Sequence, residues 1–133
     1  MERSVAGILV RDARVFVAKR GPGGSFCGYW EFPGGKVEIG ESDEDAVIRE
    51  FDEEFGVIVS AKSLLGEVLF PHHGKDRILA AWLIELVPFS QPQLLEHEES
   101  AWATSTELQG LKLVDSDRKI LENFLPGLLS TRG

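Results

Sequence analysis

Residues 42–57, SDEDAVIREFDEEFGV, constrain the fold more than any other stretch, because both ends of a helix and its buried face can be read from them. Ser42 suits an N-cap, Asp43, Glu44 and Asp45 favour the positive end of the helix dipole, and Gly56 suits the left-handed residue that ends a helix. A helix over about Asp43–Phe55 follows. At about 100° per residue, Val47, Phe51, Phe55 and Ile48 fall within one arc of about 100°, an apolar stripe that must lie against other structure. On the same wheel Glu50, Glu53 and Glu54 form one continuous edge beside the stripe, and Asp52 points away.

That edge poses a problem. Like charges three or four positions apart cost roughly 0.2–0.5 kcal/mol per pair on a helix surface. Residues 34–57 hold nine acids against Lys36 and Arg49, whereas the rest of the chain is close to neutral within a total of −8. The acidity is therefore local, as at a site. Hard divalent cations such as Mg²⁺ and Mn²⁺ take oxygen ligands and relieve such crowding. Arg49 lies four residues before Glu53 and can hold its carboxylate. Gly34-Gly35 permits close backbone approach and can add a carbonyl oxygen to a metal shell. On spacing alone, a solvated acidic face fits equally well.

Around the helix the pattern alternates strands and turns. Val5–Val10 and Val15–Ala18, split by Arg11-Asp12-Ala13-Arg14, form a predicted hairpin. Gly21-Pro22-Gly23-Gly24-Ser25 is a loop, and Val57–Phe70 is strand-rich with a break near Lys62-Ser63. Pro71–Asp76 is an expected loop, Arg77–Leu86 a strand, the segment from Pro88 to Glu98 a loop and Ser100–Ala103 a short strand. A helical turn is expected near Ser105–Leu108 and a last helix over about Asp117–Leu125, ended by Pro126-Gly127. The economical reading is a single α/β domain, 1–133, with a mixed sheet.

Composition narrows the classes. With 43% hydrophobic and 27% charged residues the 133-residue chain is long enough to bury a core and is not of disordered type. The net charge of −8 argues against binding a nucleic acid polymer. Cys27 is alone and excludes an intrachain disulfide. The apolar part of MERSVAGILVRD is too short for a signal peptide, and no apolar run approaches the ~18 residues of a membrane span. A cytoplasmic protein is expected.

From Gly35 to Val57 the chain reads Gly, five residues, Glu41, seven residues, then Arg49-Glu50-Phe51-Asp52-Glu53-Glu54-Phe55-Gly56-Val57. This resembles the Nudix box, G-x5-E-x7-R-E-U-x-E-E-x-G-U with U a bulky apolar residue. Every fixed position matches over 23 residues, and Phe51 stands where an aliphatic residue is more usual. The leader Phe26-Cys27-Gly28-Tyr29-Trp30-Glu31-Phe32-Pro33-Gly34-Gly35-Lys36-Val37-Glu38 is similar to that of the MutT-type branch, which cleaves nucleoside triphosphates. Glu96-His97-Glu98-Glu99-Ser100-Ala101-Trp102 resembles that family's acidic loop before a Trp-containing strand.

The resemblance implies a Nudix-type α/β/α sandwich with a mixed β-sheet. It also implies metal-dependent hydrolysis of a nucleoside triphosphate to the monophosphate and pyrophosphate. An oxidised guanine nucleotide (8-oxo-dGTP) is one candidate substrate, and another modified or pyrimidine nucleotide is the next. A nucleotide sugar, a dinucleoside polyphosphate or a catalytically silent nucleotide-binding module are the alternatives. Mg²⁺, with Mn²⁺ as substitute, is the implied cofactor, and the expected assembly is a monomer or homodimer.

By resemblance the Gly34 carbonyl, Glu50, Glu53 and Glu54 hold metal, Arg49 orients the glutamates and Glu41 supports the loop–helix geometry. Glu96 or Glu99 is the candidate general base, with Glu53 as rival. Arg20 is a candidate phosphate contact, preferred to an ordinary surface arginine, and Lys36 is a weaker one, balanced against a surface cation. Asp117 stands where the branch reads the base, although a helix N-cap acid fits it slightly better. An ionised Asp only accepts hydrogen bonds, which suits N1–H and the exocyclic amine of guanine, or the cytosine amine. Phe32, like Trp30, is a stacking candidate and equally a core aromatic. His72-His73 reads as a surface pair and Cys27 as inert.

Overall fold

The computed structural model describes residues 2–24, 26–88 and 90–129, and Ser25 of the expected loop lies outside them. Among the described residues seven strands and three helices follow in the order β1 (Glu2–Arg11), β2 (Arg14–Lys19), β3 (Trp30–Glu31), β4 (Gly34–Lys36), α1 (Asp43–Phe55), β5 (Val59–His72), β6 (Lys75–Leu86), β7 (Glu99–Ala103), α2 (Ser105–Gly110) and α3 (Asp115–Phe124).

β1 organises the sheet. It runs parallel to β6 from Glu2↔Arg77 to Leu9↔Ile84, and its first half also pairs antiparallel with β4 at Ser4↔Lys36. Its last residues turn back into β2 at Arg11↔Arg14, through Asp12 and Ala13 at φ 52° and 59°. Positive φ at both central residues is what a tight hairpin with the natural strand twist requires. β2 carries β3 and β7, and β5 lines the far edge of β6, so the sheet is mixed.

Alternation along the inner strands supplies two cores. Ala6, Ile8, Val15 and Val17 face Leu108 of α2 and Ile120 and Leu121 of α3. Val5, Leu9, Phe16 and Ala18 face Val47, Phe51 and Phe55 of α1. Helices thus cover both faces of the sheet, as an α/β/α sandwich requires. Gly7 lies under α1, where a Cβ would collide with the Phe51 ring, so a glycine lets the helix settle.

α1 has the expected bounds: Ser42 accepts from the Asp45 amide at 3.1 Å, and Gly56 closes the helix at φ 65°. β5 carries irregularities at Ala61/Ser63 and Leu64/Gly66, near the expected break. Two expectations are corrected. Strand pairing continues through residues 71–76, broken only by a turn at His73 and Gly74, both at positive φ. α3 begins at Asp115 after Val114, so Asp117 lies inside its first turn and is not its N-cap.

Candidate active site

Arg49 gathers the loop and the helix. Its Nε and Nη2 donate to the two oxygens of Glu41 at 2.8 and 3.0 Å, and Nη2 also donates to the Lys36 carbonyl at 3.0 Å. Nη1 donates to Glu50 at 2.9 Å and more loosely to Glu53 at 3.4 Å. The main partner is therefore Glu41, eight residues earlier, and the expected Glu53 contact is the weakest of the set. Hydrogen bonds from Arg49, then from the Glu38 amide, lower the Glu41 carboxyl to about 2. At the head of the helix Arg3 holds Asp43 through two bonds of 2.8 and 2.7 Å, and Trp82 Nε1 donates to it at 3.0 Å.

The glutamate edge grades from solvent to core. Side-chain exposure is 53% at Glu53, 16% at Glu50 and 9% at Glu54. Burial first, then hydrogen bonding with Glu50 and the charges of Glu31, Glu50 and Glu96, pushes the Glu54 carboxyl far above the usual range. Its Oε2 is buried without a hydrogen-bond partner among the described residues. Such an atom costs stability unless something meets it. The donors here are oxygen-rich and short of compensating charge, which fits a hard divalent cation.

A cavity of about 450 Å³ opens on this edge, lined by Arg20, the loop 21–24, Glu31, Gly34, Glu50, Glu54, Glu96 and His97. Gly34 sits so close to Val5 that a Cβ would strike its carbonyl, and a Cβ on Gly35 would lie 2.5 Å from a Glu50 oxygen. The Gly-Gly pair thus lets β4 pass between β1 and the carboxylates. Arg20 donates to Glu31 at 2.7 Å from the cavity wall.

A second cavity of about 320 Å³ adjoins it, sharing Arg20, Glu31 and Gly34 and reaching Phe26, Phe32, Phe70, Arg77 and Asp117. Asp117 is buried and accepts from the Phe32 amide at 2.8 Å. Burial, then the charge of Glu31, raises its carboxyl to about 8, against the lowering effect of the Phe32 amide and Arg20. Phe32 is itself core, at 3% exposure.

Arg20, Gly34, Glu50, Glu54 and Glu96 thus meet around one cavity, and Phe32 and Asp117 around its neighbour. Others stand apart. Lys36 points to Glu2 at 3.9 Å and is exposed, and Glu99 lies in β7 opposite Lys19, whereas Glu53, though more exposed, stays beside Glu50 through their shared Arg49 Nη1. Two residues of the cavity wall received no role from sequence, Glu31 and His97. His97 Nε2 lies 2.8 Å from Glu31 and 3.5 Å from Glu54, with its ring stacked on Phe55 at 5.2 Å. An acid between two aromatics ahead of Pro-Gly-Gly was a visible signal for Glu31, and nothing local marks His97.

Comparison with known proteins agrees with this geometry. The NUDIX domain family model matches residues 1–124. A CTP pyrophosphohydrolase of Escherichia coli is 32% identical, over 91% of this chain and 89% of its own. An ADP-ribose pyrophosphatase of Methanocaldococcus jannaschii is 46% identical, over 92% of this chain and 72% of its own. The crystal structure of a MutT protein from Methanosarcina mazei Go1 superposes with a TM-score of 0.81 at 26% identity, over 92% of this chain and 91% of that one. With its fixed box residues folded into one helix and loop beside a cleft, the chain belongs to the NUDIX family, with MutT-type hydrolases among its relatives.

Proposed function

We propose that the protein hydrolyses a nucleoside triphosphate to the monophosphate and pyrophosphate with a divalent metal, Mg²⁺ or Mn²⁺ in its place. The observation that carries this is the meeting of Arg20, Glu50 and Glu54 around one cavity, with a second, partly aromatic cavity adjoining. Glu50, Glu54, Glu53 and the Gly34 carbonyl would hold the metal. Bound there, the ion neutralises phosphate charge and lowers the pKa of water.

The chain's own residues do the rest. Arg20 binds phosphate oxygens, and Arg49 keeps Glu50 and Glu53 aligned through Glu41 and the Lys36 carbonyl. Glu96 would take a proton from the attacking water, a reading supported by its lining the cavity, which Glu99 does not. Positioning and charge neutralisation supply most of the rate in phosphoryl transfer. The adjoining cavity takes the base, with Asp117 on its wall and Phe26 or Phe70 as stacking surface in place of the buried Phe32. Lys36, turned toward Glu2, remains only a remote phosphate contact. A cytoplasmic monomer or homodimer, working on free nucleotides and not on a nucleic acid polymer, completes the reading. No helix among the described residues is long and apolar enough to cross a membrane.

The relative named an ADP-ribose pyrophosphatase favours a second reading, a nucleoside diphosphate linked to a sugar. A screen of normal and oxidised nucleoside triphosphates and of ADP-ribose, with Mg²⁺ and Mn²⁺ and products identified, separates the two. Pyrophosphate with monophosphate supports the first, and two monophosphate products from ADP-ribose support the second. Metal-dependent turnover that survives both Glu53→Gln and Glu54→Gln overturns the proposed metal site.

A further inference from the structure

The carboxylates of the box are all oxygen donors, yet the innermost of them faces a nitrogen. Glu31, Glu54 and His97 each offer one donor atom, and the three atoms lie within 4.8 Å of one another. Two of the separations are 2.8 and 3.5 Å. Neighbouring ligands on an ion at about 2.1 Å stand about 3.0–3.4 Å apart, so the two separations to His97 suit one ion.

Glu31 is held by a charged partner, and His97 and Glu54 by burial. Glu31 is held through its other oxygen by Arg20. His97 is only 6% exposed at its side chain, lies flat on Phe55, and is flanked by the Leu95 and Glu98 amides, bonded to Glu54 and Lys19 carbonyls. Glu54 is 9% exposed at its side chain with Oε2 unpaired among the described residues. Glu54 Oε2 and His97 Nδ1 are both buried without a partner among the described residues, and Glu54 Oε1 lies 3.5 Å from His97 Nε2, which is more than a cluster of surface acids.

We propose that Glu31, Glu54 and His97 form a mixed nitrogen–oxygen cation site, selective for a first-row transition ion such as Co²⁺ or Zn²⁺ over Mg²⁺. Imidazole nitrogen favours these ions, whereas Mg²⁺ prefers oxygen and retains its waters. The site shares Glu54 with the carboxylate edge but depends on two residues outside the box. It therefore gives the protein two cation preferences at one cavity, one set by oxygen and one by the ring of His97.

The test uses the full chain carrying His72→Gln and His73→Gln, which leaves His97 as the sole histidine of the three. Co²⁺ is titrated by visible absorption and Mg²⁺ by calorimetry, and paramagnetically shifted imidazole protons are sought by NMR. The expected result is a shifted His97 ring signal. Adding His97→Gln, or separately Glu31→Gln, is expected to weaken Co²⁺ roughly tenfold or more while Mg²⁺ changes by less than about threefold. Absence of a shifted ring, or equal weakening of both ions, overturns the site and leaves His97–Glu31 as a hydrogen bond only. The NMR readout needs no substitution at the site, so a misfolded variant cannot decide the matter. Pyrophosphate release by the unaltered chain with Mg²⁺ reports on the proposed hydrolysis separately, so either reading can fail without the other.

Discussion

At the scale of single residues, Arg49 does what no lysine can. One planar guanidinium serves Glu41 through two nitrogens, Glu50 and Glu53 through a third, and a backbone carbonyl besides. Arg49→Lys keeps the charge and loses the fork, so kcat/KM is expected to fall about a hundredfold with the fold retained. Steady-state kinetics beside a circular dichroism melt checks this, and unchanged kinetics would remove Arg49 as organiser. Asp117 yields a pH prediction. Its carboxyl rises from 3.8 to about 8 on folding, so its contribution to stability is full below the lower value and is lost as pH climbs through the upper one. Asn at this position stays neutral and can still accept from the Phe32 amide. Urea unfolding at about pH 5 and about pH 8.5 should show Asp117→Asn gaining on the parent as pH rises. A difference that does not move with pH would mean that Asp117 is charged throughout.

At the scale of elements, the bed of α1 is a glycine. Gly7→Ala drives a methyl into the Phe51 ring and is expected to cost about 1–3 kcal/mol, read as a lower urea midpoint with an unchanged slope. The helix itself was legible from sequence because its cap, its closing glycine and its apolar stripe all point the same way. The β1–β2 hairpin was legible for a similar reason, two apolar runs with a polar break. Elsewhere local signals misled. Pro71–Asp76 looks like a loop, yet pairing with β6 carries β5 through His72. Asp117 has the chemistry of a cap, but its carboxylate is committed to the Phe32 amide, 85 positions away. Helical spacing offered Arg49 only Glu53, whereas its best partner comes from a loop whose path periodicity cannot describe. His97 reaches the site by the folding of an irregular segment, and no local pattern encodes that.

For the whole molecule, the cavity edge carries a buried carboxyl oxygen, Glu54 Oε2, that the described residues leave without a partner. Metal should therefore stabilise the protein by mass action. With Mg²⁺ at about a hundred times its Kd the gain is about 2.7 kcal/mol, seen as a higher Tm that EDTA reverses. A Tm indifferent to Mg²⁺ would count against any site of useful affinity. The parallel pairing of β1 with β6 has a different consequence, in time. Partners in that ladder are 75 positions apart, and α1 ends 31 residues before β6 does. At about 5–20 residues per second, a ribosome needs roughly 2–6 s between finishing that helix and finishing the strand. Through that interval the phenyl rings of Phe51 and Phe55 lack the part of their floor that Ala80 and Ile84 supply. The nascent chain, more than the finished enzyme, is thus the form in which this apolar face is least covered.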